Sequence, residues 1–512
     1  MSRTEQSLKN FRMSSVFLGI SIIFNFVSRS IFIKYLGADV VGLSSTLLNI
    51  LGFLNLAELG LTSAISGTLY ELIYKKDEYR IKDVISIFGF LYRIIGVTIL
   101  VLGIIISFFL VPFFSESGLP DIYIVGGYYT FLLANLVGYF ISYKQTLLVA
   151  DQREYIVTSF TYGAQTLKFA CQIVALKYLG YGYVVWLGIE LFWGIIYGIA
   201  INRIVKKKYP WLVTSYHHGK EIYRNYATLF RTIKQVIPHN ISAFVLNQST
   251  NILIYVFSSL VKVTIYTNYT MILVRFVSVL NICMRGITAS FGNLVAEGNK
   301  AKILSIFFQF NALFFIIGGV VCTTCYYQIE SFIKLWLGVE YVLDRWIFLL
   351  MLYIMYVGIV RLPINYFIGA YVLYKDTWAP MAEACINLFV AIVFGHLLGI
   401  GGVVLGGVIS LSLIVVLWKP FFLFRNGFCS SVGEYWQKVL KYLVVLFPIS
   451  LMPQVLFQHN LLKDNSTVVG FSFNTLVIAF CLLIVYSIVL YIIDKPTKGI
   501  VRRIYKVIFH KC

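Results

Sequence analysis

Val84–Val111 reads VISIFGFLYRIIGVTILVLGIIISFFLV, and Arg93 is its one charged residue. An α-helix rises 1.5 Å per residue, so about 20 mostly apolar residues cross the ~30 Å hydrocarbon core of a bilayer. This stretch is long enough. Working outward from it, the same criterion marks about 14 segments. They are 14–36, 41–69, 84–111, 122–149, 155–178, 182–202, 235–259, 264–290, 303–328, 346–371, 380–398, 402–424, 440–458 and 470–493. The expected fold is an all-α integral membrane protein.

Composition agrees. Of 512 residues, 59% are hydrophobic and 12% charged, with mean hydropathy +0.83. Soluble domains carry about 25% charged residues. A cytosolic enzyme, a disordered chain and a nucleic-acid-binding module are thereby excluded. The net charge of +20 would suit nucleic acid, but here the cations separate apolar runs, as cytoplasmic loops do. With both termini inside, cytoplasmic segments collect about 30 of the 42 Lys and Arg residues. The richest are Lys75–Lys82, Arg203–Lys234, Lys419–Lys441 and Lys495–Lys511. Outward segments hold about six, namely Lys34, Lys177, Lys262, Lys334, Arg345 and Lys463. This bias predicts an even number of spans with both ends in the cytoplasm.

Polar residues to Arg12 lead into a run too long for a signal-peptide core, so the first helix is expected to stay. Cys322 and Cys325 form a C-x-x-C without a second pair or nearby His. They are expected to pack as small apolar residues, and no metal or cofactor is expected. Two basic stretches, Ile222–Val236 and Ile500–Ile508, carry apolar residues at helical spacing, as on helices lying along an anionic inner leaflet.

A repeat is visible. Leu179-Gly180-Tyr181-Gly182-Tyr183-Val184-Val185 and Leu398-Gly399-Ile400-Gly401-Gly402-Val403-Val404 both read L-G-x-G-x-V-V, between helices five and six and between eleven and twelve. The expectation is two pseudo-symmetric six-helix lobes, 1–202 and 235–424, with a cytoplasmic basic linker, 203–234. Residues 425–512 then supply helices 13 and 14 and a basic cytoplasmic tail. Transporters built from such repeats bind substrate between them and alternate access.

Charge inside the apolar segments identifies the candidate site. Arg29, Arg93, Lys168, Arg275, Arg285 and Arg361 would together cost roughly 15–20 kcal/mol facing lipid. They are therefore expected to line a cationic lumen. On the helix that carries Arg275 and Arg285, Asn268, Ser278 and Asn281 share their stripe. Asn240, Asn247 and Asn251 form a similar stripe on the preceding one, and Asn25 neighbours Arg29 on the first. Pro363 is expected to kink the helix just after Arg361. Glu58 and Glu383 are the two acids expected within the membrane, and hence the candidates for ion coupling. A net-positive lumen suits an anion, and arginine grips phosphate oxygens through paired hydrogen bonds. No nucleotide-binding loop and no catalytic triad spacing is present, so no enzyme is expected.

Two stretches resemble a known family. Tyr35-Leu36-Gly37-Ala38-Asp39-Val40-Val41-Gly42-Leu43, continuing to Leu56-Ala57-Glu58-Leu59-Gly60-Leu61, is similar to the opening of Wzx-type polysaccharide flippases. These belong to the multidrug/oligosaccharidyl-lipid/polysaccharide exporter superfamily. Leu335-Trp336-Leu337-Gly338 resembles the family's short L-W-L-G turn. The resemblance implies a multi-pass protein of the bacterial inner membrane. Its substrate would be undecaprenyl-diphosphate-linked oligosaccharide, turned from the cytoplasmic to the periplasmic leaflet. The implied partners are the coupling ion H⁺ or Na⁺, a polysaccharide polymerase and chain-length factors. Alternatives are a drug or metabolite antiporter, a peptidoglycan-precursor flippase and, from another class, a membrane glycosyltransferase or polymerase.

Overall fold

Asp77 caps the helix that carries the apolar stretch quoted above. Its side chain accepts the backbone N–H of Arg80 at 3.0 Å, and the helix then runs from Glu78 to Phe113. Asn299 caps Lys300–Trp336 through Lys302 N at 3.1 Å, and Thr467 caps Val468–Ile493 through Gly470 N at 3.1 Å. Each such cap is worth ~1 kcal/mol. The length of these helices has a different cause, since only a continuous helix satisfies every backbone group where lipid offers no partner.

The computed structural model describes residues 3–58, 61–180, 182–223, 245–246, 248–285, 287–373, 376–458, 462 and 464–499. Among the described residues the regular structure is helical and no strand occurs. Eleven of the described helices are long and apolar enough to cross a membrane. Three segments marked in the sequence are not among them. The segment 155–178 is a helix, Glu154–Lys177, of more polar character. The segment 235–259 is helical where described, as far as Phe257. The segment 41–69 is broken.

That break corrects the expectation of one continuous helix. An apolar helix, Ala38–Leu54, gives way to a 3₁₀ turn, Asn55–Glu58, before Leu61–Lys75 resumes. The side chains of Asn55 and Glu58 are held by neighbouring helices, as shown below, and the tightened turn presents both. The segment 122–149 is likewise shorter than expected, ending at Phe140 before a turn, Ser142–Lys144, and a short helix, Gln145–Ala150. Most of the Ile222–Val236 stretch and the whole Ile500–Ile508 stretch lie outside the described residues.

The chain divides into two compact units, 1–264 and 265–512. In the first, α1 (Arg3–Leu36) packs along α7 (Glu154–Lys177). There α4 (Glu78–Phe113) packs on α5 (Asp121–Phe140), which packs on α8 (Tyr183–Lys208). The helices α2 (Ala38–Leu54), α3 (Leu61–Lys75), α6 (Gln145–Ala150) and α9 (Tyr216–Ile222) also belong to this unit. In the second unit, Trp378–Leu398 packs on Ile400–Ser410, and Lys300–Trp336 packs on Arg345–Val360 and Val468–Ile493. An aromatic core holds its centre, with Phe307 5.0 Å from Phe428 and Phe291 4.9 Å from Phe367 between ring centroids. After Ser410 the backbone widens into a π-helical stretch, Leu411–Trp418, before the α-helix resumes at Lys419.

The two L-G-x-G turns share a backbone feature. Gly180 has φ +66° and Gly399 φ +55°. The left-handed region costs other residues about 1–2 kcal/mol, so both turns require glycine at the same place in the motif.

Candidate functional site

In the first unit the 3₁₀ turn places Glu58 and Asn55 against α4 and α5. Glu58 Oε2 accepts from Tyr139 Oη at 2.8 Å, and Glu58 Oε1 accepts from the hydroxyl of Tyr92. Asn55 Oδ1 accepts from Tyr139 Oη and from Asn135 Nδ2, each at 2.9 Å. The carboxylate is thus embedded in a polar cluster formed by α4, α5 and the turn. Tyr92, Asn135 and Tyr139 were not read from the sequence as site residues; the only available signal was their spacing of polar groups within apolar helices.

Lys168 has a counter-ion that sequence reading missed. Its Nζ lies 2.7 Å from Glu190 Oε1, and Gln172 Nε2 donates to Glu190 Oε2 at 3.0 Å. Glu190 lies inside α8, so the inventory of two intramembrane acids is corrected to at least three. Arg93 is exposed and lies over the ring of Tyr216, 5.0 Å from its centroid, in a pocket between α4, α8 and the segment leading into α9. Arg29 and Asn25 are half-buried on α1. Asn251 Nδ2 donates to Asn49 Oδ1 at 2.9 Å, and Asn49 Nδ2 donates to the carbonyl of Gln248 at 3.0 Å. Asn49 is a further polar residue not singled out in the sequence. Asn240 and Asn247 lie outside the described residues.

In the second unit, Arg275 is half-buried in Leu260–Arg285 and has no ion-pair partner among the described residues. Ser278 returns its hydroxyl to Val274 O at 2.9 Å, Asn281 bonds back to Val277 O at 3.0 Å, and Asn268 is fully buried. The polar stripe therefore spends part of its hydrogen bonding on its own helix. Arg285 ends that helix, and its side chain lies outside the described residues.

Arg361 stands at the junction between Arg345–Val360 and Leu362–Ala370, where Pro363 opens the second helix. Among the described residues its buried Nε has no hydrogen-bond partner. Glu383 lies within electrostatic range of both Arg361 and Lys419. Lys419 Nζ meets Asp376 Oδ2 at 2.6 Å, and Asp376 is buried. The sequence had left Asp376 between two helices and so outside the charge inventory. The unit thus gathers two cations and two carboxylates.

Such an arrangement can hold and exchange charge within apolar helices. No group of three metal-ligating side chains occurs among the described residues.

No protein-family model matches the sequence, and no curated protein matches it. Solved structures do. A lipid II flippase, MurJ, in an inward closed conformation, superposes with TM-score 0.60 at 14% identity, covering 93% of this chain and 98% of that one. An inward-facing multidrug resistance MATE transporter of the MOP superfamily gives TM-score 0.56 at 16% identity, covering 81% and 98%. A point mutant of the Vibrio cholerae MATE transporter VcmN gives 0.55 at 14%, covering 83% and 98%. At such identities the likeness concerns architecture, and the chain has the all-α membrane fold of the MurJ flippase and the MATE transporters.

Proposed function

We propose that this protein is a flippase of the bacterial inner membrane. It carries undecaprenyl-diphosphate-linked oligosaccharide units from the cytoplasmic to the periplasmic leaflet for surface polysaccharide assembly, by ion-coupled alternating access. Both termini are cytoplasmic, and the lobes 1–202 and 235–424 rock about the substrate. The observation that carries the proposal is arginine charge without an ion-pair contact inside apolar helices. Among the described residues Arg275 has no ion-pair partner, and the Nε of Arg361, near Glu383, is buried without a hydrogen-bond partner. A diphosphate satisfies such groups, because it brings charge and several acceptor oxygens together.

Not all six sequence candidates serve this role equally. Lys168 is neutralised by Glu190 and Arg93 lies over Tyr216 in a pocket of the first unit, so Arg29, Arg275, Arg285 and Arg361 form the proposed grip. Arg275 and Arg285 are ten residues apart, about 15 Å along a helix, and therefore act in succession. Glu58 and Glu383 are the proposed coupling residues. A cationic-drug antiporter on the same fold would need acids in excess; here the described cations Arg29, Lys168, Arg275 and Arg361 stand against Glu58, Glu190 and Glu383.

The test is reconstitution. Proteoliposomes holding the purified protein and a fluorescent short-chain isoprenyl diphosphate oligosaccharide should show leaflet exchange that rises with an imposed H⁺ or Na⁺ gradient. Exchange absent under every gradient, with gradient-driven efflux of a cationic dye in its place, would establish the antiporter instead.

A further inference from the structure

A pocket with a cationic lining is built wholly within the first unit. After Arg93, α4 carries no charged residue from Ile94 to Phe113. Those residues alone span ~30 Å, the thickness of the hydrocarbon core. Arg93 therefore stands at the edge of the apolar layer, at headgroup depth. Beside it is a pocket of about 180 Å³. Ser86, Arg93, Lys144, Asn202, Thr214 and Tyr216 contribute its polar lining, and among the described residues no carboxylate does. Asn202 lies near the end of α8 that closes with Lys206, Lys207 and Lys208.

The pocket wall is fixed in place. Tyr143 Oη and Thr214 Oγ1 are 3.3 Å apart, the N–H of Ser215 donates to Ser86 Oγ at 3.4 Å, and His218 Nε2 is 2.7 Å from Asp83 Oδ1. The helix α9 lies so close to α4 that a Cβ on Gly219 would come within 2.2 Å of Ser86 O. Neither Arg93 nor Lys144 has an ion-pair partner among the described residues. Burial, reinforced by the charge of Lys206, pushes the Lys144 ammonium below its ordinary value. A partly desolvated cation beside other cations is the condition that a bound anion relieves.

We infer that this pocket binds a phosphate group, presented by an anionic lipid headgroup or as free phosphate. The planar fork of Arg93 and the point charge of Lys144 supply complementary grips, and the hydroxyls of Ser86, Thr214 and Tyr216 serve the remaining oxygens of a tetrahedral anion. The site is independent of the flippase proposal and stands or falls apart from it.

Two probes separate the sources. The purified full chain is examined by native mass spectrometry with phosphatidylglycerol against phosphatidylcholine, and by thermal unfolding with and without inorganic phosphate. Preferential retention of phosphatidylglycerol without a response to phosphate assigns the lipid headgroup. A rise in unfolding midpoint with inorganic phosphate assigns a freely accessible phosphate site. In either case Arg93→Gln with Lys144→Gln should weaken the response about tenfold or more. Arg93→Lys, which keeps the charge and loses the fork, should weaken it less. If the double variant fails to fold, Arg93→Lys and Lys144→Gln made singly decide. Equal responses in these variants and the unmodified protein, or no response to either probe in the unmodified protein, overturn the inference.

Discussion

Lys168 Nζ and Glu190 Oε1 stand 2.7 Å apart across α7 and α8, with side chains 17% and 18% exposed. Gln172 completes the carboxylate's hydrogen bonding from the same helix as the lysine. Each charge is acceptable in an apolar helix because the other is there.

Removing one partner should therefore cost more than removing both. Glu190→Gln leaves Lys168 unpaired and is expected to destabilise the protein by about 3–5 kcal/mol. Lys168→Met with Glu190→Leu should recover most of that loss. Unfolding midpoints in detergent measure both. A double variant as unstable as Glu190→Gln would show that packing, rather than charge pairing, sets the effect.

Arg275 is expected to act on substrate rather than on folding. Arg275→Ala should abolish surface polysaccharide export at normal protein level in the membrane, and Arg275→Lys should reduce it. Loss of charge-assisted hydrogen bonds worth about 1.5–3 kcal/mol corresponds to a loss of roughly 10- to 150-fold. Quantitative immunoblots beside polysaccharide assays distinguish the cases. Normal export with Ala at Arg29, Arg275, Arg285 and Arg361, each replaced singly, would reject the cationic grip.

Ion coupling should reside in a carboxylate that changes partners. Glu383 feels both Arg361 and Lys419, and Glu58 is shared by Tyr92 and Tyr139. At least one of Glu58→Gln and Glu383→Gln is expected to transport without regard to the imposed gradient, with Glu383→Gln the more affected. Tyr139→Phe keeps the carboxylate and should keep the gradient dependence. Vesicle transport with and without a gradient reads all three. Full dependence in both Gln variants removes coupling from these sites.

Topology follows from the distribution of cations. Reporters fused after Lys220 and after Cys512 should both report the cytoplasm. A periplasmic signal at either would contradict the even span count with both termini inside.

The helices were legible because a span announces itself by length and apolarity alone, as Val84–Val111 does. The junction at Arg361 was legible for a similar reason, since Pro363 follows two residues later. Glu190 was not. It stands alone in an apolar run, and its partner sits on another helix, so the pair depends on helix rotation that linear spacing does not encode. Asp376 escaped because it lies between helices, where a carboxylate is ordinarily solvated. The break after Leu54 was hidden because the segment holds no proline; Asn55 and Gly60 were its faint marks. Arg93 was legible as a charge, but its depth required counting the uncharged residues that follow it.

The π-helical stretch Leu411–Trp418 has a consequence for the neighbouring charges. Its wider i→i+5 bonding takes up one residue more than an α-helix would, and one residue corresponds to about 100° of rotation. Everything after it is thereby dialled to a different azimuth. Lys419, the first residue beyond, reaches Asp376 at that setting. Wound as an ordinary α-helix, the same residues would carry Lys419 about 100° away, leaving a buried aspartate without its cation. The widened coil acts as a phase adjuster, setting the azimuth at which the ion pair forms.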